Sequence, residues 1–348
     1  MTTFRGYIGT YTKGDSKGIY TFTLDTEKKN LSAPILAAEL ENPTYVTVTA
    51  DSQILYAVVK EGEFGGVSSY RITKENGELT PLNTEVSPGS SPCHVSVNQN
   101  NEKVLTAYYH RGTAELYNTD GGKVAPVSAF VQHTGSGPNV ERQEKSHVHF
   151  SGFTPDEKYA VVVDLGIDKI VTYSIEDNSL EIKHSLSVKP GSGPRHIAFH
   201  PNGKFAYVMT ELSNEVIVLS YNSEDAKFTE LQYISAIPAD FTENSQGSAI
   251  HLSSDGRFVY VGNRGHNSIA LFSVNNETGE LAFIEHTSTE GNWPRDFVLD
   301  PTEKFLVASN EQSGNLVLYT RNEETGKLTL EQSDVAVPYP VCVKFLQV

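Results

Sequence analysis

The chain has 348 residues, 38% of them hydrophobic, with 17 Tyr and 16 Phe set against 27 Gly and 16 Pro. That balance suits a strand-rich globular protein with many turns and excludes a disordered chain. A formal net charge of −16 disfavours nucleic acid and anionic membrane as partners, although a small anion can still bind where arginines cluster.

Cys93 and Cys342 are too few for a disulfide framework, and "MTTFRGYIGTYT" lacks the basic and apolar pattern of a signal peptide. No apolar run reaches the roughly 18 to 20 residues that span a bilayer. A soluble, cytoplasmic protein is the expectation.

Along the chain one plan repeats. "RGYIGTY" opens on what reads as the second strand of a unit. The runs "PTYVTVTADSQILYAVV" from Pro43 and "PCHVSVNQNNEKVLTAYY" from Pro92 are then followed by "HVHFSGFTPDEKYAVVV" from His147. "GSGPRHIAFHPNGKFAYVMTEL" from Gly191, "AIHLSSDGRFVYVG" from Ala249 and "PRDFVLDPTEKFLVAS" from Pro294 complete the series. Each is two short apolar runs joined by a polar turn, and two further strands follow before the next repeat.

Taking Gln53, Lys103, Lys158, Lys204, Arg257 and Lys304 as equivalent, the intervals are 50, 55, 46, 53 and 47 residues. That period fits propeller blades of four strands. "TKENGELT", "NNETGEL" and "NEETGKL" place Gly77, Gly279 and Gly326 where a tight hairpin needs positive φ.

The missing first strand of the N-terminal unit has a candidate in "PVCVKFLQV", which would close the ring and remove two sheet edges. The expected fold is therefore all-β: a seven-bladed β-propeller of four-stranded antiparallel blades, one domain over residues 1–348. An open array or two β-sandwiches would leave the terminal strand unexplained.

In a propeller, the start of each first strand and the end of each second strand meet at one mouth of the channel. The starts supply Thr44, Tyr45, Cys93, His94, Ser146, His147, His149, Arg195, His196, Ser248, Arg295, Asp296 and Val341. The ends supply Thr10, Tyr11, Lys60, Tyr109, His110, Asp164, Glu211, Arg264, His266, Asn310 and Glu311. A pocket with a few aimed polar groups is where ligands bind. "HPNGK", "SSDGR" and "DPTEK" fall at the opposite mouth and have a turn explanation. The longest interval contains "HTGSGPNVERQEKSHVHF", an extended connection on the functional side.

Arg195 enters between His149 of the preceding blade and Arg264 of the following one; Arg295 occupies the equivalent place a further blade on. Guanidinium groups hold carboxylate or phosphate bidentately. His147 and His149 alternate on one strand and point to one side. Such a pair can ligate a metal, with His94, Asp164 or Glu211 as third ligand. The spacing is generic, so neither metal nor cofactor is expected. Glu211 near Arg195 and Arg264 would stay ionised, suited to activating water or orienting an imidazole. Asp168 reads as a turn residue and Asp164 stays open.

"HVHFSGFTPDEKYAVVVDLGIDKI", "GSGPRHIAFHPNGKFAYVMTELSNEV" and "SSDGRFVYVGNRGHNSI" resemble the lactonase family of seven-bladed propellers, over essentially the whole chain. That family includes bacterial propeller-type 6-phosphogluconolactonase and fungal carboxy-cis,cis-muconate cyclase. The resemblance implies a site with a His, two Arg and a Glu. These map to His147 or His149, to Arg195 and Arg264, and to Glu211. It implies hydrolysis of a small anionic sugar lactone, 6-phosphogluconolactone of the pentose phosphate pathway. His149, Glu211 and Arg195 are then the expected catalytic group, and His147, Arg264, His94, His196 and Arg295 the expected substrate-binding group. Another lactonase, a carboxymuconate-type lactonizing enzyme, or a non-catalytic propeller binding a metabolite or protein are the competing readings. Oligomeric state leaves no mark in the sequence.

Overall fold

A computed structural model describes residues 2–347. Among these residues the chain forms seven antiparallel sheets, six of four strands and one of five. The only helical segment described is the short 3₁₀ turn Glu176–Asn178, and no helix is long and apolar enough to cross a membrane. Two compact units divide the chain. One holds residues 2–104, 119–126 and 288–347, and the other holds 105–118 and 127–287.

In the first unit the terminal strand Pro340–Phe345 pairs antiparallel with Thr3–Thr10, placing Ile8 opposite Val343 and Gly6 opposite Phe345. This is the pairing expected from the repeat count, and it covers an edge that would otherwise be open. Ile8, Phe22, Leu24, Val343 and Phe345 are buried in one cluster with Phe305, Val307 and Leu318. The N-terminal sheet departs from the four-strand plan at its outer edge. Asn30–Leu31 and Ile35–Glu39 both pair with Gly18–Asp25 and are interrupted around Pro34, which has no amide to donate to a ladder.

The second unit contains three complete sheets. Their first two strands are Val148–Phe153 with Tyr159–Asp164, Pro194–Phe199 with Phe205–Thr210, and Gln246–Leu252 with Phe258–Arg264. Their apolar faces pack together: Val161, Val163 and Ile170 lie in one cluster with Ile197, Val208 and Ile217. Met209, Val216 and Val218 share another with Val259, Val261 and Phe272. Second strands are almost wholly buried, so they read as continuous apolar runs rather than as an alternation.

Turn chemistry behaves as its composition dictates. Gly77, Gly279 and Gly326 take φ of 70°, 77° and 73°. The Gly77 carbonyl accepts from the Tyr7 hydroxyl at 2.7 Å, and the Gly279 carbonyl from Tyr207 at 3.0 Å, tying hairpin tips to buried second strands. In "HPNGK" and "SSDGR" the Asn202 and Asp255 side chains accept from the amides of Lys204 and Arg257. These residues are spent on their own turns.

Val343→Ala in the terminal strand is expected to cost roughly 2 kcal/mol through lost packing. Ile182→Ala, at an exposed position, is expected to stay within about 0.5 kcal/mol. Urea unfolding midpoints of the two variants check both values.

Candidate active site

The candidate site lies wholly within the second unit and starts from an irregularity of the strands that carry it. Val148 pairs with Asp164 and Phe150 with Val163, leaving His149 at a register shift. Pro194 pairs with Thr210 and His196 with Met209, leaving Arg195 at an equivalent shift. Such bulges re-aim a side chain that a regular pleat would send elsewhere. In the neighbouring sheet the shift falls between Gly247 and Ile250. There the Gly247 and Ser248 carbonyls turn toward the arginines, accepting from Arg264 Nη2 at 2.6 Å and Arg195 Nη1 at 2.7 Å.

At the centre is Glu211, buried just past the end of Phe205–Thr210. Its Oε2 accepts from Arg195 Nε at 3.1 Å and from Arg264 Nη2 at 2.6 Å. Its Oε1 accepts from Nη2 of Arg142. Three guanidinium charges thus face one carboxylate, which leaves the cluster with a surplus of positive charge. Burial by itself would raise the Glu211 pKa, but Arg264, Arg195, His149 and Arg142 together hold it well below the usual carboxylate range.

His149 completes the cluster. Burial first, and then the positive field of Arg195, push its pKa well below that of a free imidazole; Glu211 opposes this and Arg264 adds to it. At neutral pH its ring is uncharged. It lies edge-on to His196, with centroids 5.2 Å apart, and to Tyr109 at 5.8 Å.

His147 is placed differently. Its ring stacks on Tyr109 at 4.2 Å and 16°. Its Nδ1 faces the Tyr109 carbonyl and its Nε2 faces the Glu144 carboxylate, both at 3.0 Å. Two acceptors occupy both nitrogens, so the pair "HVH" divides into a tethered ring and one that lies in the field of the Glu211 cluster.

Asp164, left open by the sequence, has a definite structural task. Its carboxylate accepts from the amides of His147 and Gly166, at 2.8 and 2.9 Å, and from Ser146 Oγ at 2.5 Å. It also bonds His133 Nδ1 at 2.8 Å, whose Nε2 meets the Tyr173 hydroxyl at 2.7 Å. A side chain at Gly166 would strike the Lys145 carbonyl at 1.9 Å, so only glycine allows this close approach. Asp168 is the turn residue expected, accepting from the amides of Gly191 and Gly193 at 2.7 and 2.8 Å and so bracing the loop before Arg195.

Arg142 and His133 were not singled out by sequence reasoning. The available signal was the long connection before His147, whose one buried amide, Gln143, donates to the Leu165 carbonyl at 2.8 Å and holds the loop. Of the expected catalytic residues His149, Glu211 and Arg195, and of the expected binding residues Arg264, His147 and His196, are gathered here. His94 and Arg295 belong to the first unit, each with its own partners. His94 packs on Tyr45 at 4.4 Å, and Arg295 donates to Glu311 at 2.8 Å and to the Tyr11 hydroxyl at 3.0 Å. Among the described residues no group of three or more His, Cys, Asp or Glu side chains could hold a metal ion.

Residues 5–345 match the family described as lactonase, 7-bladed beta-propeller. The chain belongs to this family. Its fold is the seven-bladed β-propeller of four-stranded antiparallel blades, the class expected from the repeats. A relative from Bacillus subtilis strain 168, named 6-phosphogluconolactonase, is 62% identical, with 99% of each chain covered. A solved structure of a protein from Lactobacillus plantarum matches with a TM-score of 0.95 at 42% identity, covering 99% of this chain and 100% of that one. The periplasmic gluconolactonase of Pseudomonas aeruginosa matches with a TM-score of 0.92 at 30% identity, covering 99% of both chains.

Glu211→Gln leaves three guanidiniums facing a neutral amide and is expected to cost about 3–5 kcal/mol at pH 7. Because the folded-state pKa of Glu211 is depressed, its stabilisation is present above the unfolded carboxylate pKa. It is lost as pH falls through the folded value. Urea unfolding from neutral to acidic pH should show wild type losing this contribution and the variant lacking that part of the slope.

Proposed function

We propose that this cluster hydrolyses a sugar lactone, 6-phosphogluconolactone to 6-phosphogluconate. The observation that carries the reading is a buried carboxylate, Glu211, that holds three arginines, with the buried His149 imidazole in their field and its pKa pushed well down by burial. The names of the relatives from B. subtilis and P. aeruginosa support a lactone as substrate. The cation surplus supports a substrate with a negative group. The matched span, residues 5–345, includes most of the first compact unit and all of the second, which supports one functional domain. Two cysteines without a disulfide fit a reducing, cytoplasmic compartment.

In this reading a water molecule attacks the ring carbonyl while His149 takes its proton. The carbonyl π electrons move to oxygen, and Arg195 and Arg264 stabilise the oxyanion. Collapse expels the ring oxygen, which takes the proton back from His149, giving the open hydroxy acid. Glu211 is a poor base because three cations hold its charge. It acts by aiming Arg195 and Arg264 at fixed positions, so preorganisation rather than proton transfer is its contribution. His147, tethered at both nitrogens, fixes the Tyr109 ring against which His149 packs.

Wild-type enzyme is expected to open 6-phosphogluconolactone faster than the spontaneous reaction measured in parallel. His149→Ala should lower kcat by about 10²- to 10⁴-fold. The kcat/KM profile of wild type should rise from acid to a plateau with an apparent pKa below that of free imidazole, following the depressed value of His149. A wild-type rate in His149→Ala would exclude it as the base.

A further inference from the structure

The three arginines on Glu211 are not equivalent. Arg195 and Arg264 have side chains 5% and 4% exposed, and each is locked a second time onto a backbone carbonyl. Arg142 has a side chain 32% exposed and comes from the connection between Gln132 and Val148, outside any strand. It engages Oε1 of Glu211, whereas Arg195 Nε and Arg264 Nη2 donate to Oε2, and its side chain also bonds that of Tyr109.

We propose that Arg142 is the residue that reads the substrate's phosphate, exchanging Glu211 for the phosphate oxygens when the lactone binds. The inference rests on the 6-phosphogluconolactone reading above and adds the determinant of its selectivity. A phosphate dianion attracts a guanidinium more strongly than a carboxylate does and matches its two-pronged donor geometry. Exchange costs little elsewhere, since Glu211 keeps Arg195 and Arg264 and is not left as an unpaired buried charge.

The loop is built for a side-chain movement without a backbone one. The Asn139 carboxamide oxygen accepts from the Arg142 amide at 3.2 Å, and Gln143 bonds the Leu165 carbonyl, the Asn139 amide and, through its own carbonyl, Gly137. A side chain at Gly137 would meet the Gln143 amide group at 2.5 Å, so the loop closes tightly around its anchor. The backbone on both sides of Arg142 is held while its guanidinium stays near solvent. Arg195 and Arg264 lack this freedom, because moving either breaks a buried carbonyl bond.

Steady-state kinetics of Arg142→Gln on 6-phosphogluconolactone and on unphosphorylated gluconolactone test the assignment, with inorganic phosphate as a competing probe. Expected is a loss of kcat/KM on the phosphorylated lactone about 10- to 100-fold greater than on the other, the span of a charge-assisted hydrogen bond. The loss should lie chiefly in KM, and the phosphate inhibition constant should rise. Arg142→Lys, which keeps the charge and loses the paired grip, should recover part of the selectivity. Equal losses on both lactones with unchanged phosphate inhibition would overturn the role of Arg142 and leave the lactonase reading standing. Wild-type enzyme no faster than spontaneous opening on either lactone would overturn that reading, and this inference with it.

Discussion

A single buried carboxylate holds the arginine cluster of this protein together. Three guanidiniums cannot be brought into one desolvated place without a counter-charge, and Glu211 supplies it. With Glu211 present, Arg195 and Arg264 are fixed by one carboxylate oxygen and two backbone carbonyls. The same arrangement explains the state of His149. Burial foremost, with the positive field of Arg195 and Arg264 added to it, disfavours a further proton, so the imidazole keeps its lone pair.

The scaffold meets this demand through local breaks in otherwise regular strands. Second strands are buried apolar runs that tolerate little polar decoration. The chemistry is therefore moved to strand ends and to the bulges at His149 and Arg195. Backbone carbonyls freed at the shift between Gly247 and Ile250 then become acceptors for the arginines. Supporting groups lie one layer back: Asp164 ties the start of one strand and Asp168 the loop before another. A few buried acids thus do distinct jobs, one balancing charge and two organising backbone.

Much of this was legible in the sequence because the information is local. The 46-to-55-residue period, the glycines of the hairpin tips and the displaced first strand are all read from nearby residues. So are the strand-end positions of Arg195, Glu211, Arg264 and the "HVH" pair. Arg142 was not legible. It sits in a loop without periodicity, and its partner Glu211 is 69 residues away. The split between His147 and His149 was equally hidden, because two histidines two residues apart look alike until their neighbours are known.

The sequence by itself determined the number of units, the closure of the first sheet by the last strand, and which chemical groups stand at the ends of the strands. Turn propensity and hydrophobic period are properties of short segments. Only the tertiary structure decided which of those groups meet, which nitrogen is already taken, and which carboxylate serves as counter-ion. Ionisation and hydrogen bonding depend on burial and on partners distant in the chain. His149 is a candidate base and Glu211 a counter-ion for that reason: three arginines from three separate segments converge on Glu211, and His149 lies in the field they create.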